Sequence, residues 1–137
     1  VSAPPEPTDA DADADAPPIR ERAAVRVRLV GTAALAGAFV AAVWLAATLV
    51  VGDFAGSVET TFALGSLAFG FGLLGWSGAV ALGRGIESMQ THLDTGTGWT
   101  ERDARRAMAR ILGFGLGVML GATAVGSSVS VFGAAVI

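Results

Sequence analysis

Cysteine is absent from this chain, and so are lysine, asparagine and tyrosine. Without cysteine there is no disulfide, no thiolate nucleophile and no cysteine-based zinc site. The only histidine is His92, and a zinc site wants three or four ligands in firm geometry. With only Glu87 and Asp94 near it in sequence, His92 reads as a surface residue, and no metal or other cofactor is expected. Charge is missing where it would matter most for transport. Residues 29–51, 61–82 and 111–137 contain no Asp, Glu, His, Arg or Lys. Proton relays, coupling sites and charged permeation paths mark themselves with such residues inside the membrane, so a proton-coupled transporter is disfavoured. No G-K-S/T follows a glycine run, which removes the phosphate loop.

What is there is apolar. Hydrophobic residues make up 53% of 137 residues, and the mean hydropathy is +0.61. A helix needs about 20 apolar residues to cross a bilayer. The uncharged run "LVGTAALAGAFVAAVWLAATLVV" meets that length, and two further runs follow. The expected fold is therefore all-α, a membrane protein with three transmembrane helices over about 29–51, 61–83 and 111–134. All three carry glycine, which membrane helices tolerate better than soluble ones. The first run is too long, and too far along the chain, for a cleavable signal peptide. Two spans plus a re-entrant third would leave the C-terminus inside, but the third run is the longest of the three.

Arginine sets the orientation. Arg20, Arg22, Arg26 and Arg28 precede the first span; the connection 52–59 has Asp53 and Glu59 but no arginine; the connection 84–110 has Arg84, Arg102, Arg105, Arg106 and Arg110. The positive-inside rule places the N-terminus and the long connection in the cytoplasm and the C-terminus outside. The expected localisation is the cell membrane, multi-pass.

The tail 1–18 has five prolines and alternates Asp with Ala from Asp9 to Ala16. Alanine alone makes no face worth burying, so this acidic segment reads as disordered. Calcium binding is a poor reading of it, since the glycine turn and distal acid of known loops are missing. In the connection 84–110, Ile86, Met89 and Leu93 recur at helical spacing, so the second helix continues past the membrane. "TGTG" (95–98) breaks it. Thr100 and Asp103 then suggest a capped helix start. Ala104, Ala107, Met108 and Ile111 form an apolar stripe, Arg102, Arg106 and Arg110 a basic row, and Glu101 and Arg105 a favourable pair. This segment lies at the lipid surface or against the second helix, with Trp99 as an interface anchor. Arg102, Arg105, Arg106 and Arg110 suit anionic lipid headgroups better than nucleic acid.

Lysine, asparagine and tyrosine have AT-rich codons, so a GC-rich genome explains their absence, and Val1 fits a GTG start. With the Asp-rich "TDADADADAPP", the chain resembles small haloarchaeal integral membrane proteins, many of them in families of unknown function. The resemblance is one of composition and layout and implies no activity and no site residue.

Small residues are arranged in rows. Gly65, Ala68, Gly72, Gly75 and Ala79 share one face of the second span. Gly113, Gly117 and Gly121 form G-x-x-x-G-x-x-x-G in the third, which Ala124 and Ser128 prolong. Ala34, Ala38, Ala42 and Ala46 do likewise in the first. Lipid gives apolar side chains no reason to prefer one another, so membrane helices associate by close packing of such faces. The segments 69–83 and 112–126 also align without gaps, matching Gly70 with Gly113, Gly72 with Gly115 and Gly78 with Gly121. The two spans run in opposite directions, as inverted repeats do, although shared composition inflates such a match.

Gly75-Trp76-Ser77-Gly78 is similar over four residues to the serine motif of rhomboid intramembrane proteases. That resemblance would make Ser77 a nucleophile at a helix start, with a histidine on a neighbouring helix as base. Here Ser77 lies inside the second helix, where backbone N–H groups are already bonded. His92 is about 20 Å further along that helix, no span contains a histidine, and a serine without a base is a weak nucleophile. The hydroxyls of Thr32, Thr48, Ser66, Ser77, Thr123, Ser127, Ser128 and Ser130 are expected to bond carbonyls one turn back.

The reading that results is a non-enzymatic integral membrane protein acting by helix association. Its partners are membrane lipids, and a second copy or another membrane protein, with no nucleic acid. Two alternatives stand beside it: a transport or channel component built from several copies, and a sensor of anionic lipid surfaces.

Overall fold

In this computed structural model the chain forms three long helices. The structure describes residues 2–4, 18–93 and 101–136, with side chains for 2–4, 18–79, 81 and 102–136. Helix α1 is Ile19–Val51, α2 is Phe54–Leu93 and α3 is Glu101–Val136. No strand occurs among the described residues. Most of the acidic tail, the "TGTG" break and the Trp99–Thr100 helix start lie outside the described residues, as do the side chains of Glu87, His92 and Glu101.

All three helices are long and apolar enough to cross a membrane. At 1.5 Å per residue, α1 to α3 are about 50–60 Å long, against about 30 Å of bilayer hydrocarbon. The excess lies largely at one end of each helix: before Leu29 in α1, beyond Gly83 in α2, and before Ile111 in α3. The basic segment 101–110 is therefore no separate prologue but the first turns of α3 itself.

The α1–α2 connection is shorter than the sequence suggests. Polar residues between 52 and 59 read as a loop, yet only Gly52 and Asp53 lie between the helices. Gly52 ends α1 in the left-handed region (φ 111°), its N–H bonded to the Thr48 carbonyl at 3.1 Å. Glycine pays no Cβ penalty there. The next residue starts α2, because the Asp53 carboxylate accepts from Gly56 N–H at 3.2 Å, an N-cap bond. Its carbonyl takes the Ser57 hydroxyl at 2.6 Å. Once capped, the polar residues Ser57 and Glu59 simply extend the helix.

Helix α3 is central. It packs along both α1 and α2, which scarcely meet each other. Glycine contacts give the register. Gly113 lies against Val30, Gly117 against Ala34 and Gly121 against Ala38; both numbers rise together, so α1 and α3 are parallel. Gly75 lies against Met108, Gly72 against Leu112 and Gly65 against Val118; here one number rises as the other falls, so α2 is antiparallel to α3. The starts of α1 and α3 and the end of α2 thus share one end of the bundle.

The interior is made of small residues. Gly37, Ala41, Gly65, Gly72, Gly113, Gly115, Gly117, Gly121 and Ala122 are buried. Among the described residues only Leu45 is a large side chain fully buried. Large apolar side chains point outward instead: Leu35 is 73% exposed, Phe39 71%, Leu67 70% and Leu74 74%. A water-soluble bundle does the reverse. This arrangement suits a lipid solvent, where backbone proximity holds helices together and bulky side chains meet acyl chains.

Candidate functional site

The small-residue faces carry the packing of the three-helix unit, and the positions differ in what they meet. A Cβ on Gly117 would strike the Ala34 carbonyl oxygen, one on Gly113 would stand 2.7 Å from the Val30 carbonyl oxygen, and one on Gly121 would stand 2.9 Å from Ala38 Cα. Gly37 of α1 answers from the other side, against the Phe114 carbonyl. Carbonyls aimed at glycine Cα–H groups are the geometry of weak C–H···O bonds at helix interfaces, about 0.5–1 kcal/mol each. Towards α2, Gly115 lies against Phe69 and the Gly65 carbonyl, Gly72 is 2.5 Å from Leu112 N by the same measure, and Gly75 meets the Met108 sulfur. Met108, one residue of the apolar stripe that opens α3, therefore packs on α2, while Ile111 of the same stripe lines a groove towards α1. Ala79 is half-buried on that side.

The face read from the sequence is corrected at its ends. In α1 the buried row is Gly37, Ala41 and Leu45, while Ala46 is exposed and Ala42 only half-buried. In α3, Ala124 and Ser128 are exposed. Steps of four overshoot a 3.6-residue turn by about 40° each, so a strict four-residue row leaves the interface after two or three steps. Gly37 and Gly115 were missed because each stands outside the regular row of its own helix. The i−4 relation of Gly37 to Ala41 was the signal that could have found it.

The aligned segments 69–83 and 112–126 meet across the α2–α3 contact in matching ways. Gly72 lies against Leu112, and its aligned counterpart Gly115 lies against Phe69, the counterpart of Leu112. Gly75 lies against Met108, and its counterpart Val118 against Gly65; Gly65 and Met108 precede the aligned segments by four residues each. The two helices are thus related locally by an approximate two-fold. Beyond that contact they differ. The row Gly113, Gly117, Gly121 is covered by α1, while its counterparts are Gly70, Leu74 and Gly78. A Cβ at Gly70 or Gly78 would meet nothing within 4 Å.

Ser77 lies in the interior of α2 and is exposed on its outer side, so helix continues on both sides of it. The hydroxyls of Ser66, Thr123, Ser128 and Ser130 donate to carbonyls four residues back, at 2.7–2.9 Å. Those of Thr32 and Thr48 donate three back. Ser77 and Ser127 show no such bond among the described residues, contrary to the general expectation. The buried Thr61 donates to the Ser57 carbonyl at 2.6 Å.

Charge is segregated. The shared end carries Arg20, Arg22, Arg26 and Arg28 of α1 and Arg102, Arg105, Arg106 and Arg110 of α3, with Glu21 and Asp103 as the acids whose side chains are described there. Arg102, Arg106 and Arg110 are exposed; Arg105 is half-buried and partnered. The far end carries Asp53 and Glu59. Among the described residues no group of three acidic or histidine side chains is placed to hold a metal ion.

A family model described as a family of unknown function, DUF7268, matches residues 23–126. The chain belongs to the DUF7268 family. No curated protein and no solved structure matches the chain. The matched region runs from the arginine-bearing turns of α1 to Gly126, where α3 still touches Val58 of α2. It contains the whole of the glycine-packed unit and leaves out the acidic tail.

Proposed function

We infer that this DUF7268 protein is a non-enzymatic, multi-pass protein of the cell membrane that acts by helix association with a second copy of itself. Its N-terminus and arginine end are cytoplasmic and its C-terminus is extracellular, as arginine favours. The observation that carries the association is the uncovered face of α2. Gly113, Gly117 and Gly121 are occupied inside the chain by α1, so that row is not free for a partner. Its counterpart on α2 (Gly70, Leu74 and Gly78) is turned outward and open. A two-fold axis along the membrane normal would pair α2 with α2 of the other copy in parallel, which satisfies the self-complementarity of such a dimer. Leu74 stands where Gly117 does, so the two helices would meet glycine at both ends of the contact and a side chain at its centre.

The reading as a non-enzyme is supported by Ser77, which sits in continuous helix, and by spans free of ionisable residues. A channel built from several copies has less support, because Thr123, Ser128 and Ser130 already spend their protons on their own backbone. The composition supports a haloarchaeal source. The test uses the cysteine-free chain in native membranes. Oxidation of a Leu74→Cys variant is expected to give a disulfide-linked dimer and that of Leu35→Cys is not. Adding Gly78→Leu to Leu74→Cys is expected to abolish the dimer. Equal crosslinking from both cysteines overturns the reading.

A further inference from the structure

We propose that the groove between α1 and α3 at the arginine end is a binding site for an anionic membrane lipid. Leu29, Ala33 and Ala36 of α1 and Ile111 and Phe114 of α3 form its apolar walls, and Arg110 stands at its basic end. It is open along its length, with a volume of about 440 Å³. An open apolar groove on a lipid-facing surface fits an extended acyl chain lying in it.

The charge at its mouth selects the headgroup. On α1, Arg22, Arg26, Leu29, Ala33 and Ala36 follow one another at steps of four and three, which keeps them on one face. On α3, Arg106, Arg110 and Phe114 are spaced by four. The parallel register brings both rows to the same end. The four arginines are exposed and flank the point where the groove leaves the apolar zone. Asp103, also exposed, lies one turn further out than Arg106. From Leu29 to Ala36 the groove runs about 10 Å along the helix, so a phosphate on Arg110 and a chain beside Ala33 and Ala36 are served together. Arginine pairs with phosphate through two parallel N–H···O bonds. Thr32 on the groove wall gives its proton to the Leu29 carbonyl at 3.1 Å, which leaves its oxygen as an acceptor for a headgroup hydroxyl. Ala33 and Ala36 make the depression: a larger residue at either position would fill it.

The proposal rests on the reading that the helices cross a bilayer, and the experiment separates the two. The full chain is reconstituted in phosphatidylcholine vesicles containing phosphatidylglycerol. Flotation is measured first, and the lipids retained on the released protein are then identified by native mass spectrometry. Retention of phosphatidylglycerol over phosphatidylcholine is expected, and it persists in molar salt. There the Debye length is about 3 Å, which removes diffuse attraction but not direct contact. Arg110→Gln is expected to lower that preference about fivefold, since one arginine near an anionic surface contributes about 1 kcal/mol. Ala36→Leu, which leaves every charge in place, is expected to lower it as well. Arg20→Gln, on the opposite side of α1, leaves it unchanged.

A chain that does not float with the vesicles overturns the membrane reading and this one with it. A chain that floats but retains no phosphatidylglycerol overturns this one alone. So does a preference untouched by Ala36→Leu, or one lowered equally by Arg20→Gln, since either means diffuse surface charge. A preference that appears only after the acidic residues Asp9 to Asp15 are changed to Asn would mean that the tail, and not a lipid, occupies the arginines.

Discussion

The Cα of Gly117 lies against the carbonyl oxygen of Ala34, leaving no room for a side chain between α3 and α1. Both partners are backbone, so neither can swing aside. Gly117→Ala forces the helices apart and forfeits neighbouring contacts at Gly113, Gly121 and Gly37. Overpacking costs about 1–3 kcal/mol, against a helix-propensity gain of up to about 1 kcal/mol. The expected result is a net loss of about 1–2 kcal/mol, read as unfolding in mixed micelles. Gly117→Leu is expected to detach α1 altogether. An unchanged transition for both would mean that α1 and α3 are not in this register.

The opposite sign is expected at Gly70 and Gly78. A Cβ at either position meets open space, and alanine is the better helix former by up to about 1 kcal/mol. Gly70→Ala and Gly78→Ala should therefore stabilise the isolated chain slightly, in the same assay that shows Gly117→Ala destabilising it. Glycines of one segment and its aligned partner then behave differently because one row is covered and the other is not. Destabilisation at Gly70 would place a helix over it within the chain.

These glycines show what a sequence can and cannot disclose. Uncharged runs of membrane length marked all three helices, since length and apolarity are physical requirements of a span. The positions of Gly65, Gly72, Gly113, Gly117 and Gly121 were visible as small-residue rows. Which helix each row faces was not, because a row of small residues describes its own surface and carries no address. The row 113–117–121 suits a neighbouring helix of the same chain as well as a partner, and it is α1 that covers it. The helix start at Phe54 was hidden for another reason: one carboxylate, Asp53, decides it, and the polar residues that follow mimic a loop. The groove at Arg110 depends on residues 74 or more positions apart being brought to one place (Ala36 and Arg110), and no local pattern encodes that.

The absence of cysteine gives a clean measurement of topology. Single cysteines at Ser2 and Val136 are the only thiols in their variants. In intact cells, a membrane-impermeant maleimide is expected to label Val136→Cys, while Ser2→Cys is labelled only after the membrane is opened. The reverse pattern would put the arginine end outside, against the positive-inside rule, and would place the Arg110 groove in the outer leaflet. Labelling of both in intact cells would mean an even number of crossings.

The two-residue connection between α1 and α2 carries the last expectation. Asp53 accepts from Gly56 N–H and so replaces a missing turn of helix bonds at the start of α2. Asp53→Ala removes that acceptor and is expected to cost about 1 kcal/mol, the usual worth of an N-cap. Asp53→Asn keeps a carboxamide oxygen at the same place and should cost much less. Gly52→Ala puts a Cβ on a residue with φ 111°, a conformation that L side chains rarely adopt, and is expected to cost about 1 kcal/mol or more. Because the reversal is confined to these two residues, neither loss can be shared along a longer loop. Together they predict that inserting two glycines after Gly52 leaves the Asp53 effect intact and relieves that of Gly52→Ala. Unfolding midpoints of the three substitutions, and of the insertion alone and combined with Asp53→Ala or Gly52→Ala, measured in one detergent, decide this: equal midpoints for Asp53→Ala and Asp53→Asn would mean that the carboxylate does not cap α2.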